Sequence, residues 1–237
     1  MNPVVLYEDN HLLVLNKPTG MVSQGALPDE PSAVEWAKRY LKQKYAKPGN
    51  VFVGVVSRLD RDVSGVLVLA RTSKGAARLN EQFRERSVEK TYWSAVAWQP
   101  SATPPPDEGH CVDWLAEDAG AGRMTTVDVE KPAPGAKENA QQASLKFRCL
   151  ERSASGALLE VALETGRKHQ IRVQLSARGW PIVGDRRYGS RRAFAEGIAL
   201  HARSIRFRHP TRDETLTLEA PCPAVWRELG YETVRQS

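Results

Sequence analysis

Ser57-Arg58-Leu59-Asp60-Arg61-Asp62-Val63-Ser64-Gly65 runs without a break into Val66-Leu67-Val68-Leu69-Ala70. The first nine residues hold two cations and two carboxylates. The five that follow are wholly apolar and of strand type, the pattern of a strand buried on both faces. Asp60 is therefore expected where a polar loop meets the core, flanked by Arg58 and Arg61. A carboxylate held there can be kept ionised by a neighbouring guanidinium and partly shielded from water. Those conditions suit a nucleophile or a general base. They equally suit an exposed loop with weak surface ion pairs.

Outward from this stretch, strand signals dominate. Val4 to Tyr7 and Leu12 to Asn16 read as two strands joined by a turn at Glu8-Asp9-Asn10-His11. Lys17-Pro18-Thr19-Gly20 closes the second in a tight loop. Ser32-Ala33-Val34-Glu35 is a capping box, and Val34, Ala37, Leu41 and Tyr45 continue at helical spacing. A second helix is expected from a Ser73 cap to Arg86, with Ala76, Ala77, Leu79, Asn80 and Phe83 inward. Lys90 to Trp98 reads as a strand. Ser144 to Leu150 and Ala157 to Glu164 read as a strand pair, Lys168 to Ala177 as a helix on an Ile171/Leu175 stripe. Ile205 to Phe207 and Thr215 to Glu219 read as a closing pair. A short helix with Trp226 and Leu229 follows Pro223. Strands with irregularly interspersed helices predict an α+β fold with a mainly antiparallel sheet.

The 237 residues, 41% of them hydrophobic, can bury a full core, as one domain or two packed lobes. The segment from about 100 to 142 stands apart in composition, with Pro104-Pro105-Pro106 and Gly120-Ala121-Gly122. It is expected to be a loop-rich surface excursion with one short strand near Thr125 to Val129. No apolar run reaches membrane-spanning length, and the N-terminus lacks the pattern of a signal peptide. Cys111, Cys149 and Cys222 are odd in number and far apart, which fits a reducing cytoplasm better than a disulfide framework or a zinc site. There is no Walker loop or Rossmann glycine fingerprint, and nothing demands a metal, nucleotide or redox cofactor.

The net charge of +6 is unevenly spread. Residues 164–213 hold twelve basic side chains against four acidic ones, whereas residues 101–142 hold three against eight. A concentrated, arginine-rich face is the footprint of a polyanion binder. Arg58, Arg61, Arg167, Lys168, Arg186 and Arg187 are the candidate phosphate contacts, any single one dispensable because such contacts are distributed. The acidic segment would repel phosphate and is expected away from the path of such a polyanion.

Arg58-Leu59-Asp60-Arg61-Asp62-Val63-Ser64-Gly65 with its apolar tail resembles the catalytic motif of the RluA-type RNA pseudouridine synthases. Ser57 stands where that family has His, and Val63 where it has Thr. Glu89-Lys90-Thr91-Tyr92 resembles the family's Lys-x-Tyr element. Gly166-Arg167-Lys168-His169-Gln170-Ile171-Arg172 resembles its Gly-Arg-x-His-Gln-Ile-Arg element, and Leu200-His201-Ala202 its Leu-His-Ala element. Four matches in the family's order are hard to obtain by chance.

The resemblance implies a single catalytic domain over 1–237, with a mainly antiparallel mixed sheet flanked by helices. Because the pattern starts by Leu6, it implies no preceding RNA-binding domain. It implies an isomerase converting a specific uridine to pseudouridine in structured ribosomal or transfer RNA, without cofactor or metal. A monomer is the default. Asp60, Tyr92 and Arg172 become the catalytic candidates. Asp60 would act by attack at the anomeric carbon or by taking a proton from its neighbour. Tyr92 would lie against the flipped base; otherwise it is a packed strand tyrosine. Arg172 would pair with Asp60; otherwise it is a helix-surface arginine. His169 and His201 are expected to be structural. The alternative is a non-catalytic RNA-binding protein or RNA chaperone on the same fold. A hydrolase using Asp60 and Asp62 as an acid–base pair is disfavoured, because residues two apart on that segment would not converge.

Overall fold

The computed structural model describes residues 2–25, 32–99, 101–118, 120–128, 130 and 139–236. In chain order the strands are β1 (Val4–Glu8), β2 (Leu12–Lys17), β3 (Gly54–Val55), β4 (Ser64–Ala70), β5 (Glu89–Ala97), β6 (Glu108–Asp118), β7 (Arg123–Val127), β8 (Gln141–Arg152), β9 (Gly156–Leu163), β10 (Leu200–Arg208) and β11 (Thr215–Glu219). The helices are α1 (Ala33–Lys44), α2 (Ser73–Arg84), α3 (Gln170–Ala177) and α4 (Glu232–Arg235). Two compact units result: Met1–Lys90 with His201–Pro223, and Thr91–Leu200 with Ala224–Ser237. Among the described residues no helix is long and apolar enough to cross a membrane.

In the first unit β2 pairs antiparallel with both β1 and β4, β4 pairs parallel with β10, and β10 pairs antiparallel with β11. Every residue of β4 is buried. Alternate side chains of β2 and β4 feed two separate cores. Leu12, Val14, Val66 and Val68 join Leu79 of α2, Ile205 and Phe207 in one core. Leu13, Leu15, Leu67 and Leu69 join Ala37 and Leu41 of α1 in the other. That double coverage is why Val66 to Ala70 reads as an unbroken apolar run rather than an alternating one.

The caps are local chemistry. Ser32 Oγ accepts from Glu35 N–H at 3.2 Å and starts α1. For α2 the cap is Thr72, whose Oγ1 accepts from Gly75 N–H at 3.1 Å, one residue ahead of the expected Ser73. Only part of the expected inner face of α2 faces inward: Leu79 is buried, while Ala77 and Asn80 are exposed.

The second unit is antiparallel throughout. β5 pairs with β9, β9 with β8, β8 with β6, and β6 with β7. The expected loop-rich excursion is thus corrected. Its described part forms an eleven-residue strand and a hairpin partner, while residues 131–138 and the Val129 end of the expected short strand lie outside the described residues. The strand hides in the sequence because Asp113 and Glu117 share a face with the buried Cys111 and Leu115, while the apolar Val112 and Trp114 are exposed on the other. α3 packs on this sheet beside β6 and β7, with Val173, Leu115, Ala143 and Tyr188 in one cluster. The expected Ile171/Leu175 stripe is too narrow: Gln170, Arg172, Val173 and Gln174 are buried as well.

Candidate active site

The segment Val56 to Val63 links β3 to β4 and carries Asp60. It is fastened on several sides within the first unit. Ser23 Oγ donates to Leu59 O at 2.8 Å and accepts from Leu59 N–H at 2.9 Å. Gly20 N–H donates to Arg61 O at 2.9 Å, and Val63 N–H to Asp60 O at 3.2 Å. Asp60 is half-buried between the exposed Arg58 and Arg61, as its position between loop and core requires.

Beneath the loop lies Lys17, which sequence reasoning treated only as the start of a turn. Its side chain is fully buried, and Nζ donates to Pro18 O at 2.9 Å and Met21 O at 2.8 Å. Arg61 O lies at 3.5 Å, the outer limit of a hydrogen bond. Burial pulls the ammonium down to about 7, against the opposing attraction of the Asp60 and Asp62 carboxylates. The available signal was a lysine at the end of a strand that is apolar as far as Asn16.

The far end of the loop is fixed by β10. Ser64 Oγ lies 2.8 Å from His201 Nδ1, and His201 Nε2 lies 3.1 Å from Ala220 O. Burial, more than any neighbour, drives the imidazole down to about 4 and keeps it neutral. Gly65 has φ +115°, and a Cβ there would stand 2.3 Å from Ala202 O. Only glycine lets the two backbones approach this closely.

The other candidates lie in the second unit. Tyr92 is half-buried on β5 opposite Val161. Arg172 is not a helix-surface residue: it is 4% exposed, and its Nε and Nη2 bond Asp185 Oδ2 and Oδ1 at 2.7 and 3.0 Å. The loop before α3 closes on Gln170, whose Oε1 accepts from Thr165 Oγ1 at 2.7 Å and Arg167 N–H at 3.0 Å. His169 sits at the helix start with φ 54°. Lys168 Nζ bonds Glu117 Oε1 at 2.8 Å, Arg187 bonds Gly122 O, and Arg123 Nη1 bonds Arg187 O at 3.2 Å. The β6–β7 hairpin therefore rests against two of the basic candidates. Glu117 of the acidic stretch thus neutralises one of those candidates, Lys168. Arg186 is exposed, and Arg167 Nε donates to Gln142 O at 3.1 Å. Asp185 and Tyr188 were not singled out from sequence.

Comparison with known proteins identifies the family. The family model described as "RNA pseudouridylate synthase" matches residues 11–177. The Ribosomal large subunit pseudouridine synthase C of Vibrio cholerae is 35% identical over 93% of this chain and 66% of its own length. Its Escherichia coli counterpart is 33% identical over 92% and 66%. The chain thus spans just under two thirds of the length of these relatives. A solved structure of "Human RNA Pseudouridylate Synthase Domain Containing 4" superposes with a TM-score of 0.78 at 27% identity, covering 98% of this chain and 92% of that one. The chain belongs to the RNA pseudouridylate synthase family.

Proposed function

We propose that this protein isomerises a specific uridine to pseudouridine in ribosomal RNA, in the cytoplasm, and that residues 1–237 act as one catalytic domain. The observation that carries the reading is Asp60. It is a half-buried carboxylate between two exposed arginines, on a loop fastened by Ser23, Gly20 and Lys17. Fastening of this kind suits an aspartate that must act at one atom of a large substrate.

The target uridine leaves its stack at a cost of a few kcal/mol. The proposal gives Tyr92 the exposed base to stack against and recover part of that cost. Asp60 assists departure of uracil from the sugar, and the base rotates and rejoins through carbon five. Arg172 acts at the same uridine as the cationic partner of Asp60. Arg58, Arg61, Arg167, Lys168, Arg186 and Arg187 hold the surrounding phosphates. Ribosomal RNA is favoured over transfer RNA by the activity named for the Vibrio and Escherichia relatives.

The test is pseudouridine mapping of total RNA from cells with and without the gene. A lost ribosomal site restored by wild type but not by Asp60→Ala is the expected result. A lost transfer RNA site would correct the substrate. No lost site, with tight RNA binding by the purified protein, would overturn the catalytic reading in favour of an RNA-binding protein or chaperone.

A further inference from the structure

Arg172 occupies a built slot. Its fork meets Asp185 in a two-point bond, and its guanidinium carbon stands 5.0 Å from the centroid of the Tyr188 ring. Asp185 is 1% exposed. A carboxylate on one edge and an aromatic face on the other fix both the direction and the plane of the guanidinium.

The slot is itself braced. Tyr188 Oη accepts from Met124 N–H at 3.1 Å and lies 2.8 Å from His169 Nδ1, whose ring packs edge-on at 5.7 Å. Ser176 Oγ donates to Tyr188 O at 2.6 Å. The turn after Asp185 is closed by Tyr188 N–H and Ser190 N–H, both donating to Asp185 O, at 3.1 and 3.0 Å. Three segments of the second unit, the β7 start, α3 and the Asp185–Ser190 turn, thus converge on one arginine. A buried ion pair is a poor stabiliser compared with apolar packing of the same volume. Orientation is what this arrangement supplies.

We propose that Asp185 and Tyr188 are positioning residues for Arg172, holding its guanidinium in the attitude it needs at the reacting uridine. The proposal rests on the reading that Arg172 acts there. Neither residue is required to touch the RNA.

The experiment is single-turnover kinetics on the mapped RNA substrate, with RNA affinity measured in parallel. Asp185→Asn is expected to slow the chemical step about 100-fold while RNA affinity stays within about threefold. Tyr188→Leu is expected to slow it about tenfold, and Tyr188→Phe, which keeps the ring face, to recover most of that loss. Chemical rescue gives a readout that a purely structural role would not move. Guanidinium ion added to Arg172→Ala should restore part of the rate when Asp185 is present and none in the Arg172→Ala, Asp185→Asn double variant.

A folded, RNA-binding Asp185→Asn protein with the wild-type rate overturns the proposal. If Asp185→Asn does not fold, equal rates for Tyr188→Leu and wild type overturn it instead. A wild-type rate in Arg172→Ala overturns the reading beneath it, and the proposal falls with that reading.

Discussion

Acidification should weaken the first unit through one imidazole. His201 is buried and neutral, with its acidity shifted from 6.5 to about 4. Above pH 6.5 neither the folded nor the unfolded state carries the extra proton, so the group contributes no pH dependence. Between pH 6.5 and 4 the unfolded chain takes up a proton that the folded one refuses, so stability falls as pH falls. Below about 4 both states are protonated and the loss levels off. The span corresponds to about 3 kcal/mol, close to 1.4 kcal/mol for each pH unit. That is a large share of the roughly 5–15 kcal/mol that holds a domain folded. Carboxylates titrate in part of the same range, so wild type alone would not isolate the effect. His201→Gln keeps an amide near Ala220 O but cannot titrate. Urea unfolding of both proteins at intervals from pH 7.5 to 4.5 should show the stability difference moving in favour of the variant by about 2–3 kcal/mol. Hydrogen exchange of β4 amides should follow the same curve. A difference that stays constant across the range would refute the claim that His201 is held neutral by burial.

The same loop supports three further expectations. Gly65→Ala puts a Cβ 2.3 Å from Ala202 O at φ +115°, so the variant should lose more than about 3 kcal/mol or fail to accumulate folded, as read by urea unfolding. Lys17 titrates near 7 when folded and near 10.5 when free, so the unfolded state binds the extra proton between those values and stability from this group rises with pH across that window; thermal unfolding of Lys17→Met should lack the rise that wild type shows between pH 7 and 10. Replacing Arg58 and Arg61 with Gln should weaken RNA binding across all sequences and flatten the slope of log affinity against log salt by about 0.7–0.9 for each phosphate that the protein no longer neutralises, whereas an unchanged slope would place the RNA elsewhere.

What the sequence shows readily is what local chemistry determines. The β2 and β4 runs are legible because both faces are buried, and α1 because Ser32 caps it in place. Asp60 is legible because loop polarity changes to core polarity within a few residues. The β6 strand is not, because its register is set by pairing with β8 and Asp113 and Glu117 interrupt its apolar face, where Arg178 and Lys168 meet them. Gln170, Arg172 and Gln174 are residue types expected in water on a helix, yet each is buried by a specific partner: Thr165, Asp185 and the Cys111 carbonyl, respectively. Lys17 is hardest of all, since its partners are backbone carbonyls and carry no side-chain signature. Polar burial is a tertiary property, and residue type alone argues against it.

The parallel pairing of β4 with β10 sets the order in which the protein can be built. Ser64 meets His201, 137 positions further along the chain. At a synthesis rate of about 5–20 residues per second, β4 leaves the ribosome on the order of ten seconds before its neighbour exists. During that interval β2 and β3 already pair with β4, but its Ser64–Gly65 end lacks the neighbour it will have, a short open edge of the kind that recruits foreign strands. The intervening antiparallel sheet of β5 to β9 is contiguous in the chain and can close first. The Asp60 loop then acquires its last fastening only when β10 arrives, so truncation before residue 201 should leave the Ser64–Gly65 end of β4 unprotected in amide hydrogen exchange.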